Sequence, residues 1–276
     1  MKNFIYIFVI FCFFTISSSY SKTNKDNEFN SHEQDLTDEK KQALSSLLLD
    51  QELNELIDIY TNSNKETQII TINKRIKFSG ITDTRLFDIV EKNMNSIPLN
   101  TVARKNTQYV SWMAQMLAFS GQEKYKDSLT HLSINALSKT TKRHAKKSLE
   151  VLPKYKKWNK VISQDLELNT INDLRKSRVI NMLNAEDPTL VRAGASFVEK
   201  YFINDSTITD LVLHRLLSIY EIGTPQFNDA SAWLCRVLGN TGKSKYIEPL
   251  IKIKETTKET AIKRWSKKAL RNLGYK

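Results

Sequence analysis

Apolar residues recur at spacings of three and four along most of the chain, the period of a helix that buries one face. From Leu36 the pattern turns helical, with Leu44, Leu47 and Leu48 on one face. A second helix is expected from Asp50, a good N-cap, through Leu53, Leu56, Ile57 and Tyr60. Residues 67–79 are ambiguous alone, because Ile69, Ile70, Ile72, Ile76 and Phe78 are β-branched or aromatic and suit a strand. We read helix, since Phe78-Ser79-Gly80 returns as Phe119-Ser120-Gly121 at the end of a clearer helix. Each glycine then stands where a left-handed cap is wanted.

Beyond Gly80 the pattern predicts helix pairs. Thr82–Asn95 pairs with Thr107–Ser120, and Tyr125–Asn135 with Thr141–Leu152. Asn172–Leu183 pairs with Pro188–Phe202, Thr207–Tyr220 with Asp229–Leu238, and Tyr246–Lys254 with Thr260–Leu273. Short breaks at Pro98, Pro153, Pro188, Gly223-Thr224-Pro225 and Gly239 to Gly242 separate the elements.

One stretch occurs twice. Trp112 to Leu152 lies on Trp233 to Leu273 at an offset of 121, without a gap and with 12 identities in 41 positions. Trp112 meets Trp233, Gly121 meets Gly242, and Lys124-Tyr125 meets Lys245-Tyr246. Lys142, Arg143, Lys146 and Lys147 meet Lys263, Arg264, Lys267 and Lys268. A single amphipathic helix pair cannot cover its own apolar face, so repetition of pairs predicts a stacked array. The two tryptophans are expected at equivalent core positions.

Asp187-Pro188-Thr189-Leu190-Val191-Arg192-Ala193-Gly194-Ala195 resembles the second-helix signature of HEAT repeats, with Asp-Pro at the start, then Val-Arg, then small residues. Asp187 suits the N-cap and Pro188 the first helical position. The stretches from Lys142 to Leu149 and from Lys263 to Leu270 are similar but lack the Asp-Pro. The resemblance spans roughly residues 66–274. It implies an all-α fold, an α-solenoid of stacked antiparallel helix pairs forming a HEAT-like superhelix. Within that class the chain is similar to exported bacterial HEAT-repeat proteins, which share no general activity. Some HEAT-like proteins are DNA-base glycosylases or chromophore lyases.

The first residues carry a different message. Lys2, the apolar run Phe4 to Phe14 and the small residues Ser17 to Ser21 make residues 1–21 a secretory signal peptide, cleaved after Ser21 or Ser19 or kept as an anchor. Phe11 before Cys12 argues against a lipid-anchored form. Residues 22–35 are polar and are expected to be a flexible leader, and 36–276 the solenoid domain. The chain is expected to be periplasmic or secreted.

Charge sharpens the picture. The chain carries +12 overall, but residues 22–106 hold 12 basic and 14 acidic side chains, while 107–276 hold 29 and 16. The basic character belongs to the repeat-bearing part and points to an anionic partner. On a helix, Lys142, Arg143, Lys146 and Lys147 form one band beside Ala145, Leu149 and Leu152, and Lys263, Arg264, Lys267 and Lys268 repeat it. We take these eight as candidate binding residues. They serve either an unidentified protein or a non-protein polyanion such as extracellular nucleic acid or an anionic envelope polymer. The same band also fits a solvated face that keeps the chain from self-association.

Catalytic chemistry is poorly supported. Gly242-Lys243-Ser244 fails as a P-loop, because Val237 stands where the first glycine is needed and a helix precedes it. His32, His131, His144 and His214 lack metal-ligand spacing, and Cys235 reads as a buried, inert thiol. No cofactor is implied, and the expected activity is non-enzymatic binding.

Overall fold

The computed structural model describes residues 26–62, 65–164 and 170–275. The predicted signal segment lies outside them. The chain divides into a unit up to Lys40 and a unit from Lys41 onward, and apart from the start of α1 the features discussed below lie in the second.

The described residues are all-α, with no strand among them. The helices are α1 (Asp26–Asn62), α2 (Lys65–Ile76), α3 (Thr84–Asn95), α4 (Arg104–Phe119), α5 (Lys126–Asn135) and α6 (Lys139–Ile162). There follow α7 (Ile171–Asn184), α8 (Pro188–Phe197), α9 (Ser206–Ile219), α10 (Pro225–Asn240), α11 (Ile247–Thr256) and α12 (Thr260–Asn272). Single 3-10 turns lead into α5 and α11, and a π-helical turn, Val198–Phe202, extends α8. None of the described helices is long and apolar enough to cross a membrane.

Helix starts follow the capping chemistry of the sequence. Asp83, Ser138, Thr170, Asp187, Asp205 and Thr224 each accept a backbone N–H of the first turn. Such a cap contributes about 1 kcal/mol. Asp187 caps α8 through the Thr189 N–H at 2.7 Å, and Pro188 stands in its first turn, as its sequence predicts.

Consecutive helices pair, α3 on α4, α5 on α6, α7 on α8, α9 on α10 and α11 on α12. The second helices also pack on one another, α4 on α6, α8 on α10 and α10 on α12, while α6 passes to α7. Two apolar cores result. One gathers α1 to α6 around Leu56, Phe87, Leu117 and Tyr125. The other gathers α7 to α12 around Leu183, Val191, Leu234 and Tyr246. Phe78 and Trp158 pack against both.

The structure corrects four boundaries. First, α1 is continuous from Asp26, inside the stretch read as leader, and does not restart at Asp50. Asp50 instead accepts from the Arg85 guanidinium. Leu48, Leu53 and Leu56 are buried on either side of it, so nothing favours a break, whereas Leu47 faces solvent. Second, α6 does not end at Pro153 but runs on to Ile162. An interior proline costs about 3 kcal/mol. Packing downstream offsets it. Tyr155 and Ile162 are buried, and the Asn159 amide donates to the Phe119 and Ser120 carbonyls at 2.9 and 3.1 Å. Third, α10 starts at Pro225 on the Thr224 cap, one turn before Asp229. Fourth, Phe78 takes the first left-handed conformation after α2 (φ 65°), and Gly80 follows it at φ 75°. Phe78 is held there by Tyr155 and Trp158, each 5.8 Å away between ring centroids.

Candidate functional site

The two basic bands sit on helices whose buried faces match position by position. In α6, Thr141, Ala145 and Ser148 are buried. In α12, Ile262, Ser266 and Ala269 occupy the same register and are buried too. That fixes the direction of the residues between. Arg143, Lys146 and Lys147 are exposed and Lys142 is half-buried, while Lys263, Arg264, Lys267 and Lys268 are all exposed. None of the eight has a carboxylate within ion-pair distance among the described residues. Some other lysines are paired, Lys124 with Asp88 at 2.7 Å, Lys176 with Asp205 at 2.8 Å and Lys245 with Asp210 at 2.6 Å, whereas Lys154, Lys157 and Lys160 of α6 are exposed and have no such partner among the described residues.

The fold does not merge the bands into one. The packing runs from α6 through α7, α8 and α10 to α12. On α8 and α10 lies a surface that the periodicity alone does not reveal. The Trp233 ring lies 5.0 Å from the Arg192 guanidinium and 4.8 Å from that of Arg236. Arg192 pairs with Asp229 at 2.6 Å, and Arg236 donates to Glu199 at 2.7 Å. Glu199 also accepts from Asn240 at 2.7 Å, and Asn240 accepts from Asn272 of α12 at 2.9 Å. Lys268 sits 4.6 Å from the Trp265 ring. Cation–π contacts of this kind contribute about 0.5–1 kcal/mol at exposed sites.

Trp112 and Trp233 were expected at equivalent core positions. Both are half-buried at the edge of their cores, and Trp233 meets two arginines where Trp112 meets none among the described residues. The register places Gln115 where the second copy has Arg236, and His144 where it has Trp265. Gln115 Nε2 contacts His144 Nδ1 at 3.2 Å. Burial, and then Arg143 and Lys147, hold His144 below the ordinary histidine range. Lys77, at the end of α2, is also depressed, by burial first and then by Arg192 and Lys147. Lys77 is therefore in electrostatic reach of both Lys147 of the first band and Arg192.

Cys235 is fully buried, with Sγ 3.5 Å from the Ser266 hydroxyl, and burial pushes its thiol up to about 12. Burial and that shift keep the sulfur in its thiol form near neutral pH. Among the described residues no group of three or more His, Cys, Asp or Glu is placed to hold a metal ion. No family model, curated protein or solved structure matches the chain. The HEAT resemblance therefore rests on the chain's own residues and its repeat.

Proposed function

We propose that the chain is an exported, non-enzymatic scaffold, a HEAT-like α-solenoid whose second helices present the basic bands to an acidic protein partner. The observation that carries this reading is the recurrence, at one register in two helices, of four cations without a carboxylate partner among the described residues. Unpaired, exposed like charges steer a complementary surface toward the protein and raise its association rate. Between the bands, Arg192, Trp233 and Arg236 are interleaved with Asp229 and Glu199. That mixed, aromatic and arginine-rich surface favours a protein partner over a uniform polyanion, since protein interfaces are enriched in Trp and Arg.

The test is affinity capture from the parent cell's envelope fraction, with the wild-type chain and a Lys142→Glu/Arg143→Glu/Lys263→Glu/Arg264→Glu variant side by side. A protein retained at about 300 mM salt by wild type and lost by the variant supports the reading. Nucleic acid or an anionic polymer captured only at low salt replaces the protein partner with the polyanion.

A further inference from the structure

A cavity of about 530 Å³ lies between α1, α2, α7 and α8 with its π-helical turn. Sites for small organic ligands run roughly 300–1,000 Å³. Five cationic side chains line it, Lys74 and Arg75 from α2, Arg175 and Arg178 from α7, and Lys200 from the π turn, against one carboxylate, Glu52. Two of them are neutralised within the fold. Arg75 forms a fork with Glu55 at 2.9 and 3.1 Å, and Arg178 pairs with Glu52 at 2.8 Å. Lys74, Arg175 and Lys200 have no carboxylate partner among the described residues. The cavity wall therefore carries net positive charge, offset only in part where Glu55 also interacts with Arg175.

Arg178 lines the cavity while only 4% exposed, fixed in place by its Nη1–H donating to Glu52 at 2.8 Å. The rest of the wall mixes apolar side chains, Phe78, Val179, Met182 and Phe202, with the hydroxyl residues Thr71, Ser79 and Ser196. At its rim Tyr201 is 54% exposed and stacks on Phe197, 6.0 Å between centroids and 22° between planes. Lys200 lies 4.7 Å from the Tyr201 ring. These rim residues belong to or adjoin the π turn Val198–Phe202, and π turns inside helices recur at functional sites.

We propose that this cavity binds a small amphipathic anion. Its head, a carboxylate or phosphate group, meets Arg178, Arg175 and Lys200, and its flat aromatic body lies against Phe78, Phe197 and Tyr201. The site is separate from the basic bands, since none of their eight residues lines it.

The experiment is calorimetric titration of the full chain with 2-naphthoate, 1-naphthyl phosphate, neutral 2-naphthol and inorganic phosphate. One or both aromatic anions are expected to bind with Kd of about 100 µM, and naphthol and inorganic phosphate about tenfold more weakly or not at all. The stronger of the two anions tells which head group the arginines prefer. Arg178→Met would strand Glu52 in a buried place and endanger folding, so the exposed pair Arg175→Gln/Lys200→Ala carries the test. That double variant is expected to weaken binding by about tenfold or more, while Lys252→Glu on α11, exposed and outside both the cavity and the bands, leaves it unchanged. Naphthol binding as tightly as naphthoate, an unaffected double variant, equal loss in Lys252→Glu, or no anion binding up to about 1 mM overturns the proposal.

Discussion

In α4–α6 and in α10–α12 the same elements begin 121 residues apart, at Arg104 and Pro225, Glu123 and Ser244, Lys126 and Ile247, Lys139 and Thr260. The lock between pairs is repeated as well. Tyr125 is buried and donates to Asp88 of α3 at 2.6 Å, beside Lys124. Tyr246 is buried and donates to Asp210 of α9 at 2.9 Å, beside Lys245. Their helices end differently just past the repeat. Pro153 occupies the register of Gly274, and the local expectation is reversed in its outcome. The helix with proline continues to Ile162, and the helix with glycine stops, Gly274 at φ 80° and the Tyr275 N–H donating back to the Leu270 carbonyl at 3.0 Å. This is the reciprocal hydrogen-bonding pattern of a glycine-terminated helix. Local preference decides where nothing else packs; in α6, Tyr155, Trp158, Asn159 and Ile162 override it.

The largest expected effect separates the copies at their shared glycine. An added Cβ at Gly121 would stand 2.6 Å from the Lys156 backbone nitrogen, in the extended part of α6, whereas at Gly242 nothing lies within 4 Å. Both have positive φ, 66° and 69°. Gly121→Ala is expected to cost about 3 kcal/mol or more, backbone strain plus a clash with main chain. Gly242→Ala is expected to cost about 1 kcal/mol, the strain alone. Urea unfolding midpoints measure the difference, and equal losses would mean that α6 does not press on Gly121.

Next is Asn159→Leu. It removes the amide that satisfies the Phe119 and Ser120 carbonyls. We expect a loss of about 2 kcal/mol. The same unfolding assay reads it, and proteolysis within residues 153–162 should rise if the extension is released.

The smallest effect tests the locks. Lys124 and then Tyr125 hold the Asp88 carboxyl below the usual range, and Lys245 and then Tyr246 do the same for Asp210. A depressed carboxylate pKa contributes stability above the unfolded value, about 3.9, which is lost as pH falls through the folded pKa. Both groups are largely exposed, so screening keeps the gain small. Asp88→Asn and Asp210→Asn should each flatten the loss of stability below about pH 4, and by similar amounts. A flattening in one copy alone would break the equivalence.

Much of the fold was legible because it is local. The three-four spacing of apolar residues located most of the helices after Gly80, and the Gly121/Gly242 and Tyr125/Tyr246 identities held the repeat in register. The basic bands were legible too, since buried positions at 141, 145 and 148 leave the residues between them outward. What was missed depends on residues distant in sequence. The Arg192–Trp233–Arg236 contact joins α8 to α10, and only the Arg192 of the HEAT-like motif and the spacing of Trp233 and Arg236 hinted at it. The cavity draws on residues 52, 71–79, 175–182 and 196–202. No periodicity within one helix marks such a convergence. The long α1 was missed because a good capping residue, Asp50, also serves as a surface ion-pair partner.

If the bands on α6 and α12 bind an acidic surface, they also bind a simple acidic polymer. Fluorescence anisotropy titration with labelled poly-L-glutamate at about 50 mM and about 300 mM salt compares wild type with the Lys142→Glu/Arg143→Glu/Lys263→Glu/Arg264→Glu variant. Salt-sensitive binding by wild type is expected, weakened about tenfold or more in the variant, with an unchanged thermal unfolding midpoint. Equal binding by the folded variant would rule the bands out as the binding surface.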